Sequence, residues 1–142
     1  MSVKTPLHVR FYETDLMGVV HHSNYIRWFE IGRVDFLRSI GIELQDLMND
    51  KILFPITEIR AKYINPSHFD ENLELETIPV HLTKVKMEFE YLVGNGEKIL
   101  VRGFSQNVFT DMATGRITRL PEKYSKILEK AMAEELEKMS EE

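Results

Sequence analysis

The stretch from Glu13 to Gly41 constrains the fold of this chain more than any other, because it contains the longest helical pattern. Apolar or small residues recur there every three or four positions, which is the spacing of one face of an α-helix. This face consists of Tyr25, Phe29, Gly32, Phe36 and Ile40, and it is widened by Ile26, Trp28 and Leu37. A helix with so broad an apolar face has to be covered by other elements.

The two ends of this helix are also marked in the sequence. Gly41 directly follows the last periodic residue and is expected to end the helix. Ser23 or Asn24 is expected to cap its start, so the helix should begin at or beside His22. Free N–H groups at a helix start stabilise developing negative charge, and Asp15 lies a few residues upstream. This combination suits attack on a carbonyl by water or a carboxylate.

The rest of the chain is dominated by alternating apolar and polar residues, the pattern of half-buried strands. The alternation predicts strands over 7–12, 54–64, 73–83, 86–93, 99–110 and 116–120. A short helical turn is expected within 42–50, and Pro121 is expected to open a final helix. One strand, one long helix and then strands in hairpin succession indicate an α+β fold with a mainly antiparallel sheet.

Composition narrows the function. The chain has 142 residues, enough for a single domain spanning 1–142, and lacks cysteine, which excludes disulfides, thiolate metal sites and cysteine nucleophiles. The net charge is −5, of which −4 lies in residues 129–142, where an acidic tail is expected from about 134. The nearly neutral body argues against nucleic-acid binding. With neither a signal pattern nor a run of membrane-spanning length, the expected location is the cytoplasm.

The motif around the helix start is similar to that of a known family. Thr14-Asp15, then residues 18–25 (GVVHHSNY) and Trp28-Phe29-Glu30, resemble the signature of hotdog-fold acyl-CoA thioesterases of the 4-hydroxybenzoyl-CoA thioesterase type. The resemblance implies an antiparallel sheet wrapped around the long helix, with a C-terminal helix. It also implies a homodimer or homotetramer with active sites at the subunit interface. No metal or organic cofactor is implied.

The resemblance assigns roles to individual residues. Asp15 becomes the catalytic carboxylate of acyl-CoA hydrolysis, either attacking the thioester carbonyl or activating water. His22 polarises that carbonyl through its backbone N–H or contributes its side chain. His21 and Tyr25 become walls of the substrate site, with His21 standing where the family often has an aromatic residue. Asn24 shapes the helix start beside the substrate.

Two lysines complete the expected site. Lys84 and Lys86 lie at a strand junction where similar enzymes often place cations that contact the phosphates of coenzyme A. Two lysines at such a junction are also typical of a solvated surface, which leaves the phosphate contact open.

Several alternatives remain open from the residues alone. Asp15 also suits a simple turn residue before a helix. Two histidines and an aspartate are metal-ligand types, but adjacent histidines point in different directions, so no metal site is expected. The substrate acyl group is carried by coenzyme A or by an acyl carrier protein, and a non-catalytic acyl-CoA or lipid-binding module is a further reading. Acyl chain length, aromatic preference, pathway and the choice between dimer and tetramer are not determined.

Overall fold

The computed structural model describes the backbone of residues 2–141 and the side chains of residues 2–134. Its helices are α1 (His22–Ser39), α2 (Leu44–Asn49) and α3 (Glu122–Glu141). Its strands are β1 (Val3–His8), β2 (Ile52–Leu53), β3 (Ile56–Tyr63), β4 (Asn72–Leu82), β5 (Lys86–Gly94), β6 (Ile99–Val108) and β7 (Thr110–Asp111). The expected α+β architecture with one long helix and a C-terminal helix is confirmed.

Five of the strands form one antiparallel sheet in the order β1-β4-β5-β6-β3, while β2 and β7 pair separately. Alternate side chains of each central strand point to the same face. On β5 the inward residues are Met87, Phe89, Tyr91 and Val93, all buried as the alternation predicts. Strand β3 is an edge strand of this sheet, so one of its backbone edges has no partner strand in the described part of the chain.

Helix α1 lies against the inner face of this sheet and supplies much of the core. Phe29 and Phe36 are fully buried, and the Phe29 ring stacks on that of Tyr91 with centroids 4.3 Å apart. The helix reaches this depth because Gly32 has no side chain. A Cβ atom at Gly32 would lie 2.0 Å from Thr77 Oγ1 and 2.8 Å from Leu75 Cδ2, well inside van der Waals contact.

Two expectations about strands are wrong. The first strand covers Val3–His8 rather than 7–12, because its ladder with β4 ends at the pairs Leu7↔Leu73 and His8↔Asn72. Beyond it the chain makes a 3₁₀ turn over Phe11–Glu13. The segment 116–120 forms only an isolated bridge, Thr110↔Ile117, because its N–H groups divide between two partners: Thr118 N–H donates to Phe109 O and Leu120 N–H donates to Lys84 O.

The last helix packs on the core through Tyr124, Leu128 and Ala131, which are buried as its apolar stripe predicts. The acidic tail expected from about 134 continues α3 as backbone to Glu141, and its side chains from residue 135 onward lie outside the described residues. No helix in the described part of the chain is both long and apolar enough to cross a membrane.

The close approach at Gly32 predicts a specific loss of stability. Gly32→Ala should lower the free energy of unfolding by about 1–3 kcal/mol through overpacking against Thr77 and Leu75. This outweighs the gain of up to about 1 kcal/mol from replacing a helical glycine. Urea unfolding of Gly32→Ala, Thr77→Ala and the double variant checks it, and Thr77→Ala should rescue part of the loss. An equally or more stable Gly32→Ala protein would contradict the packing described.

Candidate active site

Asp15 lies in a tight turn that leads into the start of α1. The Asp15 N–H donates to Val19 O at 2.9 Å and the Gly18 N–H donates to Asp15 O at 3.0 Å. Gly18 has φ of 79°, a backbone conformation that suits glycine because it has no Cβ. One carboxylate oxygen, Asp15 Oδ1, accepts the Met17 N–H at 2.8 Å. No hydrogen bond or ion pair within the described residues engages the second oxygen, so it is available for chemistry.

Helix α1 begins at His22, and its cap differs from the expected one. The prediction of Ser23 or Asn24 as the cap is wrong, because His21 holds that position and its Nδ1 accepts the Ser23 N–H at 3.2 Å. The imidazole nitrogen thus accepts one of the first N–H groups of the helix, which have no acceptor within the helix and which a serine or threonine hydroxyl usually accepts. Among the described residues, the His22 N–H has no hydrogen-bond acceptor. It is therefore a donor at the positive end of the helix dipole.

A buried carboxylate joins the Asp15 turn to the helix. Glu13 is buried, and its Oε2 accepts the Trp28 Nε1–H at 2.7 Å while Oε1 accepts the Arg10 N–H at 2.7 Å. Its backbone carbonyl accepts the His21 N–H at 2.9 Å and the Asn24 side-chain N–H at 2.8 Å. The residue two positions before Asp15 is thus fixed to both the middle and the start of α1.

A cleft of about 340 Å³ opens between this turn and the end of β3. It is lined by Asp15, Val19, Val20, His22, Tyr25, Tyr63, Ile64, Asn65 and Pro66. The Tyr63 hydroxyl donates to His22 O at 3.3 Å, and the Tyr25 hydroxyl lies 2.6 Å from Ser67 Oγ. Burial raises the pKa of both tyrosines, so both remain neutral at physiological pH.

The structure brings together some of the residues singled out in the sequence and separates others. Asp15, His22 and Tyr25 share the cleft, whereas His21 and Asn24 do not line it. Asn24 is buried behind the helix start with its amide occupied by two carbonyls, those of Glu13 and His21. The His21 ring packs beside the His22 ring, with centroids 4.0 Å apart.

The two lysines lie at the other end of the sheet. Lys86 begins β5 and is paired with Glu88 at 3.5 Å, and Lys84 lies in the turn before it. At the far end of β5, Val93 pairs with Val101, which pairs with Tyr63 at the cleft. A nine-residue strand spans about 30 Å, so the lysines of one chain are remote from its own Asp15.

Three participants in the cleft region were not singled out in the sequence. Tyr63 and Ser67 come from segments far along the chain, and no local pattern indicates that they meet α1. Glu13 begins the stretch from Glu13 to Gly41. The sequence feature that could have indicated its role is the presence of a second carboxylate two residues before Asp15. No group of three or more His, Asp or Glu side chains in the described residues is arranged to hold a metal ion.

Comparison with known proteins identifies the family. The model of the Thioesterase-like superfamily matches residues 9–131. The acyl-CoA thioester hydrolase YbgC of Escherichia coli is 28% identical over 96 residues, which are 68% of this chain and 72% of that protein.

Solved structures show the same fold. The DHNA-CoA thioesterase of Staphylococcus aureus superposes with a TM-score of 0.92 at 24% identity, covering 96% of this chain and 94% of that one. A 4-hydroxybenzoyl CoA thioesterase superposes with a TM-score of 0.78 at 20% identity, covering 89% and 97%. The expected hotdog fold is confirmed. The chain therefore belongs to the Thioesterase-like superfamily and is a thioester hydrolase, as the motif around His22 predicts.

Proposed function

We propose that the protein hydrolyses an acyl-CoA thioester to the free acid and coenzyme A, with Asp15 and the His22 backbone N–H as its catalytic groups. The observation that carries the proposal is their position in one cleft, where Asp15 and His22 both contribute to the lining. The Escherichia coli relative, named as an acyl-CoA thioester hydrolase, supports the substrate class. We also propose that residues 1–142 form one domain and that the protein acts in the cytoplasm.

The chemistry follows from the two groups. The thioester carbonyl oxygen accepts the His22 N–H, which stabilises the negative charge that develops when the carbonyl is attacked. Asp15 either attacks the carbonyl carbon itself or takes a proton from the attacking water.

If Asp15 attacks, the C–S bond breaks and an anhydride between the acyl group and Asp15 forms, which water then hydrolyses to the free acid and the original carboxylate. If Asp15 activates water, the water oxygen bonds to the carbonyl carbon and the C–S bond breaks without an acyl-enzyme. In both routes the thiolate of coenzyme A leaves and takes up a proton.

Tyr25 and Tyr63 line the cleft. We propose that His21 and Asn24, which were expected to contact substrate, act on it indirectly by holding the helix start in place.

We further propose a homodimer formed through the free edge of β3. Ile56 and Tyr63 at its two ends are 37% and 47% exposed, and an unpaired edge is a template for another strand. A two-fold axis pairs the two copies of β3 antiparallel, which brings the beginning of one strand to the end of the other. The end of the sheet that carries Lys84 and Lys86 then approaches the Asp15 cleft of the second copy. These lysines bind the phosphates of coenzyme A held mainly by the partner subunit.

Replacing the carboxylate tests the catalytic assignment. Asp15→Asn should lower turnover of the best acyl-CoA by about a hundredfold or more, because the base or nucleophile is lost. Thiol release from short, long and aromatic acyl-CoAs measures it, with Asp46→Asn, an exposed aspartate on α2, as the matched control. A folded Asp15→Asn protein with near-normal turnover would rule the mechanism out. If wild type releases no thiol from any acyl-CoA, carrier-protein substrates or simple binding take precedence.

The lysines should act on binding rather than on chemistry. Lys84→Gln with Lys86→Gln should raise KM for acyl-CoA roughly threefold to thirtyfold with kcat unchanged, since two exposed charge contacts to phosphate are lost. The same acyl group on pantetheine, which lacks those phosphates, should show no change in KM. Lys4→Gln on β1 is the control. Equal effects on both substrates would show that the lysines do not contact the phosphates.

Glu13 is proposed as a positioning residue for Asp15. Glu13→Gln places an amide N–H against one of two buried donors, which should cost about 1–3 kcal/mol of unfolding free energy. The displaced turn should lower kcat by about tenfold to a hundredfold with a smaller change in KM. Glu74→Gln, in an exposed pair with Lys4, is the control for urea unfolding and kinetics. Unchanged kcat in a destabilised Glu13→Gln protein would limit Glu13 to a structural role.

A further inference from the structure

The Asp15 turn is supported by a segment from far along the chain. Residues 67–71, which we call the corner, lie between β3 and β4. His68 of the corner forms an isolated bridge with Val19, whose carbonyl accepts the Asp15 N–H at 2.9 Å. The Val20 N–H donates to a backbone carbonyl of the corner at 2.8 Å. The backbone position of Asp15 therefore depends on the position of the corner.

The corner contains a strained residue and is held by contacts on both sides. Asp70 has φ of 70°, in the left-handed region that residues with a Cβ adopt at a cost. Its N–H donates to Val9 O at 3.0 Å, and the Val9 N–H donates to Glu71 O at 2.9 Å. Within the corner, Glu71 Oε1 accepts the His68 N–H at 2.8 Å. The conformation at Asp70 persists because these contacts and the one from β1 maintain it.

The contact from β1 is made by an imidazole ring between two oxygen atoms. His8 is the last residue of β1, and its Nε2 lies 2.7 Å from Asp70 Oδ1. Its Nδ1 lies 2.8 Å from Oδ1 of Asn72, the first residue of β4. Both oxygens are acceptors, and a neutral imidazole has only one N–H to donate. Both bonds therefore form only with the imidazolium, and we call His8, Asp70 and Asn72 the clasp.

The charges around His8 favour its protonated form. Hydrogen bonds to Asn72 and to Asp70 raise the pKa of His8 above its ordinary value of about 6.5, while the nearby charge of Arg10 opposes them. Asp70 is the charged group that faces the ring from the corner, Arg10 follows on the same segment, and β4 contributes the neutral amide of Asn72. The His8 and Asp70 side chains are 45% and 69% exposed, so the proton exchanges freely with solvent.

We propose that His8 is a positioning residue for Asp15, and that its proton makes turnover depend on pH by closing the clasp on the corner. The inference rests on the proposed role of Asp15 as the catalytic carboxylate. When the proton leaves Nδ1, the bond to Asp70 loses its charge, and the Asn72 amide has to turn over to keep its contact. Charge-assisted hydrogen bonds are roughly twice as strong as neutral ones, so the corner is then held less firmly.

The direction of the pH effect follows from the sign of the shift. The pKa of His8 is higher in the folded chain than in the unfolded one, so folding favours the protonated ring. The stabilisation is fully present below the unfolded value of about 6.5 and is lost as pH rises through the folded pKa. The Asp15 turn should therefore be most ordered on the acid side of the His8 titration.

NMR without substrate tests the clasp directly. The His8 ring should titrate above about 6.5, and Asp70→Asn should move its pKa back towards that value. Asparagine tolerates the left-handed region, so the backbone of the corner should be preserved in this variant. The hydrogen-exchange protection factor of the Val20 N–H should fall about twofold to tenfold through the same pKa. A His8 pKa at or below the ordinary value, or protection that does not change with it, would overturn the inference.

The pH profile of turnover tests the link to Asp15. In wild type, kcat should fall about twofold to tenfold through the His8 titration with a smaller change in KM, because no corner residue lines the cleft. The fall should move to lower pH in Asp70→Asn and should be absent in His8→Ala. His81→Ala, at an exposed histidine near the far end of β4, is the matched control and should keep the wild-type profile. An unchanged fall in His8→Ala would assign the pH dependence to another group and overturn the proposal.

The two experiments separate this inference from the proposed function. Val20 protection that follows the His8 titration, together with a fully active Asp15→Asn protein, would support the clasp and remove only the catalytic role of Asp15. An inactive Asp15→Asn protein in which Val20 protection ignores the titration would overturn the clasp and leave the proposed function intact.

Discussion

The candidate site depends on the pair of short hydrogen bonds that Glu13 accepts from Trp28 Nε1–H and from the Arg10 N–H, each at 2.7 Å. A buried carboxylate is costly unless it is hydrogen-bonded, and these donors compensate it. Because Trp28 belongs to α1, the chain just before Asp15 is tied to the helix whose start presents the free His22 N–H. Together with the Glu13 carbonyl, which accepts the His21 N–H and the Asn24 side-chain N–H, this side-chain contact fixes the carboxylate of Asp15 relative to the donor.

The helix itself is positioned by close packing on the sheet. Gly32 lets α1 approach β4, and Gly103 of β6 leaves space for the ring of Phe29, where a Cβ would lie 2.4 Å from the Phe29 Cζ atom. One polar atom is left without a partner by this approach, because Thr77 Oγ1 has none among the described residues. The depth of α1 in the sheet in turn brings its start to Tyr63 at the end of β3. Packing in the core therefore fixes where the cleft opens.

The elements that bury a regular pattern of apolar residues could be predicted from the sequence. Periodicity locates α1 to within a residue, because its apolar face is the surface that the sheet covers. The alternation over 7–12 placed the first strand too late, because alternation does not reveal where the partner strand ends. The cap was missed because histidine is an uncommon cap, and it succeeds here through the reach of Nδ1 to the Ser23 N–H. Tyr63 and Ser67 join the site only through tertiary contacts, which local sequence does not encode.

The central claim is that a thioester carbonyl lies between Asp15 and the His22 N–H. A crystal structure with an acyl-CoA analogue in which a methylene group replaces the thioester sulfur tests it most directly. The account predicts the carbonyl oxygen about 2.7–3.1 Å from the His22 nitrogen, with the carbonyl carbon facing the free oxygen of Asp15. An analogue bound with its carbonyl away from both groups would contradict the account.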